Sequence, residues 1–240
     1  MGGRPAQTWV RLEHPREFVF GLTPQPMEGQ DPNRAMTPLN FIHRFEPGAS
    51  ASTLLLLHGT GGNEHDLVPL AAQLAPGANL LSPRGRVLEN GAPRFFRRLA
   101  MGVFDETDLK AQAADLARFV RDAAQRYGLD AQRVYALGYS NGANMAAALM
   151  LLYPEVLAGA VLLRPMLPLE VEPLPDLSGK AAFLAAGTHD PWSPTARVQA
   201  LADYLKKAGA EVQLRWQAGG HPLYAEELAA AQEWLAAHLQ

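Results

Sequence analysis

From residue 41 onward, short continuous apolar runs alternate with longer segments whose apolar residues recur at spacings of three and four. The first pattern is that of strands and the second that of helices. Their alternation is the signature of an α/β fold, a mostly parallel central sheet with helices on both faces. Strands are predicted at TLLLLH (53–58), ANLLSP (78–83), RVYALGY (133–139), AGAVLLR (158–164), AAFLAAG (181–187) and EVQLRWQ (211–217). Helices are predicted over 108–127, 141–152, 195–208 and 226–239. The pattern fails at the N-terminus, where residues 1–40 are rich in Pro, Gly and polar side chains and read as an irregular arm or an edge hairpin. It fails again over the Pro-rich piece 165–179, which follows a strand directly and is expected to form a lid or a pocket wall. No internal repeat or dividing linker interrupts the rest, so one α/β domain is expected over 41–240 after the arm.

Composition narrows what such a domain does. With 48% apolar and 19% charged residues, the chain is expected to bury a large core and to fold alone. A formal net charge of −3 gives no global basic field, and the short basic cluster at 94–98 does not change that balance, so nucleic-acid binding is not expected. The absence of cysteine removes disulfides, thiolate metal sites and cysteine nucleophiles together, and it fits a cytoplasmic protein. No apolar segment has the form of a signal peptide or the length of a membrane span, and Ala6 stands where a myristoylation signal needs Ser or Thr. The expectation is a soluble, cytoplasmic protein.

Candidate chemistry begins at GYSNGA (138–143), where Ser140 follows a predicted strand and precedes an alanine-rich helix. Gly138 and Gly142 flank it in a G-x-S-x-G pattern, as a sharp strand-to-helix turn around an exposed nucleophile requires. The same residues also suit a serine that caps a helix. A serine hydroxyl is a poor nucleophile at neutral pH and needs a base and an orienting acid. His221, in QAGGHPL after the last predicted strand, and Asp190, in AAGTHDP after the preceding one, supply those types in the chain order Ser, Asp, His. Taken singly, His221 is a polar loop residue and Asp190 a turn opener before Pro191. HGTGG, opening with His58 at the end of the first predicted strand, has the small residues that an oxyanion loop needs. The expected donors are the backbone N–H groups of Thr60 and Asn141, and His58 itself is read as a structural hydrogen-bonding residue. His65 and His238 fall on predicted helices.

Taken together, LLLLHGTGGNEHDL, LSPRG, PRFFRRLAMGVFDETDL, LGYSNGANMA, LLRPMLP, AAGTHDP and GGHPL resemble the carboxylesterase/phospholipase branch of the α/β-hydrolases over roughly residues 50–240. GYSNGAN with FFRR is similar to a bacterial subgroup of serine hydrolases associated with glyoxalase-like ring-cleaving dioxygenases. The resemblance implies an α/β-hydrolase fold, a serine esterase or thioesterase with Ser140, Asp190 and His221 as its triad, no cofactor and no metal, and homodimerisation as a hypothesis. It leaves the substrate open. Phe96, with Arg97 or Arg98, is a candidate for wall and anion contact, and Met166 and Trp192 for an acyl or aromatic pocket. Core packing and solvated arginines account for the same residues equally well. The expected function is hydrolysis of small to medium carboxylic esters through an acyl-enzyme. The alternatives are a thioesterase or lysophospholipase-type hydrolase, and a non-catalytic small-molecule-binding protein on the same fold.

Overall fold

A computed structural model describes residues 39–239, and the expected arm over 1–40 lies almost wholly outside the described residues. A seven-stranded sheet runs in the order β1 (His43–Glu46), β3 (Asn79–Pro83), β2 (Thr53–Leu57), β8 (Val134–Tyr139), β9 (Gly159–Leu163), β10 (Ala181–Gly187) and β11 (Glu211–Gln217). All neighbouring pairs are parallel except β1 with β3, so the sheet is mostly parallel as the alternating pattern requires. Every residue of β2, β9 and β10 is buried. Burial on both faces explains why these strands read as continuous apolar runs.

Successive side chains feed two different cores. Leu55, Leu57 and Ala136 join the core under α2 (Glu106–Tyr127), α3 (Asn141–Leu152) and α4 (Thr195–Lys207). Leu54, Leu56 and Leu137 join the one under α1 (Val68–Leu74) and α5 (Ala225–His238). The period of two along each strand is what splits one apolar run between two helical layers. Helix α2 starts where the Asp105 side chain accepts from the Asp108 N–H at 3.1 Å and stops at Gly128, which adopts φ 66°. Helix α3 is different, because every residue from Asn141 to Leu151 is buried and no polar stripe exists to reveal its helical period.

Some elements carry too weak a pattern to be read in advance. Strand β1 has half-buried and exposed positions, and the hairpins β4 (Val87–Glu89) with β5 (Ala92–Arg94) and β6 (Arg98–Ala100) with β7 (Val103–Phe104) are too short to show a period. His65, expected on a helix, lies instead in the turn before α1, because the helix begins only where Pro69 fits its first turn. The segment 165–179 is irregular, as expected. It is held on α4, where the Tyr204 hydroxyl donates to the Val171 carbonyl at 2.7 Å and accepts from the Val171 N–H at 2.8 Å.

The sheet order reverses between β2 and β8, since the chain runs outward from β2 to β3 and then returns to the other side of β2. In open α/β sheets the crevice beyond the carboxyl ends at such a reversal is where ligands bind. The HGTGG loop leaves β2 there, and Ser140 leaves β8 there.

Candidate active site

Ser140 sits at the turn from β8 into α3 with φ 53° and ψ −112°, a conformation that L residues rarely adopt. Two close approaches enforce it. A Cβ on Gly142 would lie 1.9 Å from the Leu57 carbonyl oxygen, and one on Gly138 would lie 2.6 Å from the Gly142 carbonyl oxygen. Ser140 makes no side-chain capping bond to the helix that it precedes. Its Oγ lies instead 3.0 Å from Nε2 of His221, whose Nδ1 lies 2.7 Å from Oδ2 of Asp190.

The tautomer follows from the acid. Asp190 is buried, and its Oδ1 accepts from the N–H groups of Trp192 at 2.8 Å and Ser193 at 3.3 Å. A carboxylate that gathers backbone donors is an acceptor toward the imidazole as well, so Nδ1 carries the proton and Nε2 is free to accept from the Ser140 hydroxyl. His58 has a different assignment. Its Nε2 accepts from the Gly85 N–H at 2.9 Å, which leaves Nδ1 as the donor to the Gly59 carbonyl at 2.7 Å. Burial pushes the His58 imidazole below its ordinary value, so the ring is neutral and structural.

Thr60 and Asn141 line the same cavity as Ser140 and His221. Among the described residues, neither of their backbone N–H groups meets a backbone acceptor. The stretch Pro93 to Phe95 braces both. The Pro93 carbonyl accepts from the Gly61 N–H at 2.9 Å, Arg94 Nη1 donates to Thr60 Oγ1 at 2.9 Å, and the Phe95 N–H donates to Asn141 Oδ1 at 2.8 Å.

The cavity has a volume of about 330 Å³, near the lower end for small-molecule sites. Met166, Trp192 and Arg98, three of the candidate pocket residues, line it. Phe96 and Arg97 do not. Phe96 is fully buried and packs edge-on against Phe104 at 5.1 Å, so it belongs to the core. The Arg97 side chain is 62% exposed and pairs with Asp105 at 3.2 Å, so it points away from the chemistry.

The histidine loop has a support that motif reading missed. Arg164, at the end of β9, is fully buried, and its Nε donates to the carbonyls of Gly220 at 3.0 Å and His221 at 3.1 Å. Its Nη2 donates to the Pro222 carbonyl, and both Nη groups grip Glu227 of α5, at 2.6 and 2.7 Å. Glu227 in turn accepts from the Tyr224 N–H at 2.7 Å, which closes the first turn of α5. The signal was present in the sequence, since an arginine ending an apolar strand has to find a partner in the interior. Among the described residues no group of His, Asp and Glu is arranged to hold a metal ion, and no helix is long and apolar enough to cross a membrane.

Residues 46–239 match the family described as Phospholipase/Carboxylesterase. The chain belongs to that family. A relative named "Putative hydrolase MhqD", from Bacillus subtilis (strain 168), is 48% identical over 192 residues, which cover 80% of this chain and 96% of the relative. The carboxylesterase from Bacillus cereus is 47% identical with a TM-score of 0.79, covering 81% of this chain and 93% of its own. YahD, whose structure holds malic acid, is 32% identical with a TM-score of 0.77, covering 81% of this chain and 98% of its own. The fold is that of the α/β-hydrolases, and the protein is a carboxylic ester hydrolase.

Proposed function

We propose that the protein hydrolyses small to medium carboxylic esters with Ser140 as nucleophile, His221 as base and acid, and Asp190 as the group that orients His221. His221 takes the hydroxyl proton as Ser140 attacks the ester carbonyl, and the imidazolium formed is stabilised by Asp190. The N–H groups of Thr60 and Asn141 receive the oxyanion, an interaction worth roughly 2.7–4 kcal/mol per donor. His221 then returns its proton to the leaving alcohol, and water releases the acyl group by the same path. The observation that carries this reading is the continuous chain from Ser140 Oγ through His221 to Asp190, with contacts of 3.0 and 2.7 Å.

The size of the cavity supports a compact substrate, and the malic acid in the YahD structure is a molecule of that scale. A thioester meets the same groups in the same way, and a matched oxygen ester and thioester pair separates the two. Homodimerisation is part of this reading, and light scattering that returns a monomer mass removes it.

The test is intact-mass labelling with a fluorophosphonate beside turnover of p-nitrophenyl acetate and butyrate. Wild type is expected to take one adduct, and Ser140→Ala and His221→Ala to lose both adduct and turnover, with kcat falling on the order of 10⁶-fold. A folded wild type with no adduct and no turnover overturns the proposal and leaves a binding protein on this fold.

A further inference from the structure

The wall of the cavity carries two guanidinium groups, Arg94 and Arg98, and no carboxylate among its described lining residues. Among the described residues, the only acidic group within ion-pair distance of either is Glu89 of β4, which they share. Glu89 Oε1 accepts from Arg98 Nε at 2.9 Å and lies 2.7 Å from Arg98 Nη2. Glu89 Oε2 lies 3.0 Å from Arg94 Nη1, within ion-pair distance but without the alignment of a hydrogen bond. Arg94 spends Nε on the Phe96 carbonyl at 3.1 Å and Nη1 on Thr60, and among the described residues no hydrogen bond reaches its Nη2. Two cations therefore meet one anion, and both belong to residues that line the cavity shared with Ser140. Asp190 is not within ion-pair distance of either arginine; its oxygens accept from His221 and from the N–H groups of Trp192 and Ser193.

Arg94 is only 3% exposed, and burial pulls its guanidinium below the ordinary value. A cation in that position gains most from an anion that arrives in the cavity, since charge-assisted bonds from guanidinium to carboxylate are about twice as strong as neutral ones. We propose that the preferred substrates are esters bearing a second, ionised carboxylate, which Arg98 and Arg94 hold while the ester carbonyl lies at Ser140. The small volume restricts them to short chains, such as the monoesters of small dicarboxylic acids, with a dicarboxylate and an alcohol as products. This specificity rests on the reading of Ser140 as the nucleophile.

The experiment compares monomethyl glutarate with its uncharged amide analogue, following proton release at fixed pH, after fluorophosphonate labelling has established that Ser140 is active. Wild type is expected to favour the charged ester by roughly 10- to 100-fold in kcat/KM, the worth of a hydrogen bond to a charged group. In Arg98→Gln that ratio is expected to fall toward one, and in Arg98→Lys to recover in part, because the charge returns without the forked donor geometry. A wild-type ratio at or below one, with Ser140 labelled, overturns the carboxylate preference and leaves the hydrolase standing. If Ser140 is not labelled, the nucleophile reading fails by itself. Calorimetry with glutarate on wild type and Arg98→Gln then decides the arginine site, where binding lost in the variant supports it and no binding to wild type overturns it.

Discussion

The molecule holds two arginine–glutamate clusters next to its candidate active site, and they are built in opposite ways. Around Arg164 one cation meets one carboxylate in two parallel bonds, and the remaining donors reach the carbonyls of Ala185, Gly220, His221 and Pro222. Around Arg94 and Arg98 two cations that line the cavity share Glu89; among the described residues Arg98 Nη1 has only the Met101 sulfur at 3.7 Å, and no hydrogen bond reaches Arg94 Nη2. The first cluster is dry and complete, and its role is to fix the backbone beneath His221. The second is incomplete within the protein, and its unbalanced charge at the cavity wall is the ground for the carboxylate preference proposed above. Burial alone does not separate the two, since Arg94 and Arg164 are both buried. What separates them is whether every donor has an acceptor.

The most severe way to break the comparison is Arg164→Met. It leaves Glu227 charged and unpaired in the interior and is expected to lower stability by about 3–5 kcal/mol, read by denaturant unfolding. Pairing it with Glu227→Leu is expected to restore much of that loss, since a buried pair replaced by apolar groups is often near neutral. A kcat that stays low in a refolded double variant would then report the displaced His221 loop. Glu89→Gln breaks the open cluster with a smaller effect on stability, because Glu89 is itself about 30% exposed. It removes the anion that the two arginines share, so the preference for monomethyl glutarate over its amide analogue is expected to rise a few-fold. A fall in that ratio would show that Glu89 is needed to aim the arginines.

Acid sharpens the contrast without mutation. His58 anchors Gly85, nine residues before Arg94, by accepting from its N–H, and a protonated ring cannot accept there. Its folded-state value lies below the unfolded one near 6.5. The stability it contributes is therefore complete above that pH and is lost as pH falls below it, at no more than about 1.4 kcal/mol per pH unit. Hydrogen exchange at decreasing pH is expected to loosen residues 84–96 before 220–227. Simultaneous loosening of both would mean that the open cluster has no separate anchor.

Much of this architecture was legible because the strands are buried on both faces. A continuous run such as TLLLLH has no competing helical interpretation once glycines follow it, and each predicted strand is present within a residue or two. The spacing of Ser140, Asp190 and His221 at three strand ends was legible for the same reason, since strand ends locate loops. The hairpins β4–β5 and β6–β7 were not. Their residues are held by ion pairs and by contact with the HGTGG loop, which are long-range facts that leave no period in the sequence. Phe96 and Arg97 were misplaced as pocket residues for that reason. Phe96 and Arg97 lie in the bend between β5 and β6, where no period assigns a side chain to wall or core, and the residues that reach the cavity from this stretch are Arg94 and Arg98.

The backbone of Ser140 carries one last consequence. A non-glycine residue held at positive φ costs of the order of 1–3 kcal/mol, and the packing of α3 against β2 denies it any other conformation. Glycine at that position would adopt the same angles without strain, so Ser140→Gly is expected to unfold at a higher temperature and, on the reading of Ser140 as nucleophile, to lose turnover. Heat resistance and the proposed chemistry therefore pull on one position in opposite directions, because the turn that strains Ser140 is the turn that sets its Oγ 3.0 Å from His221.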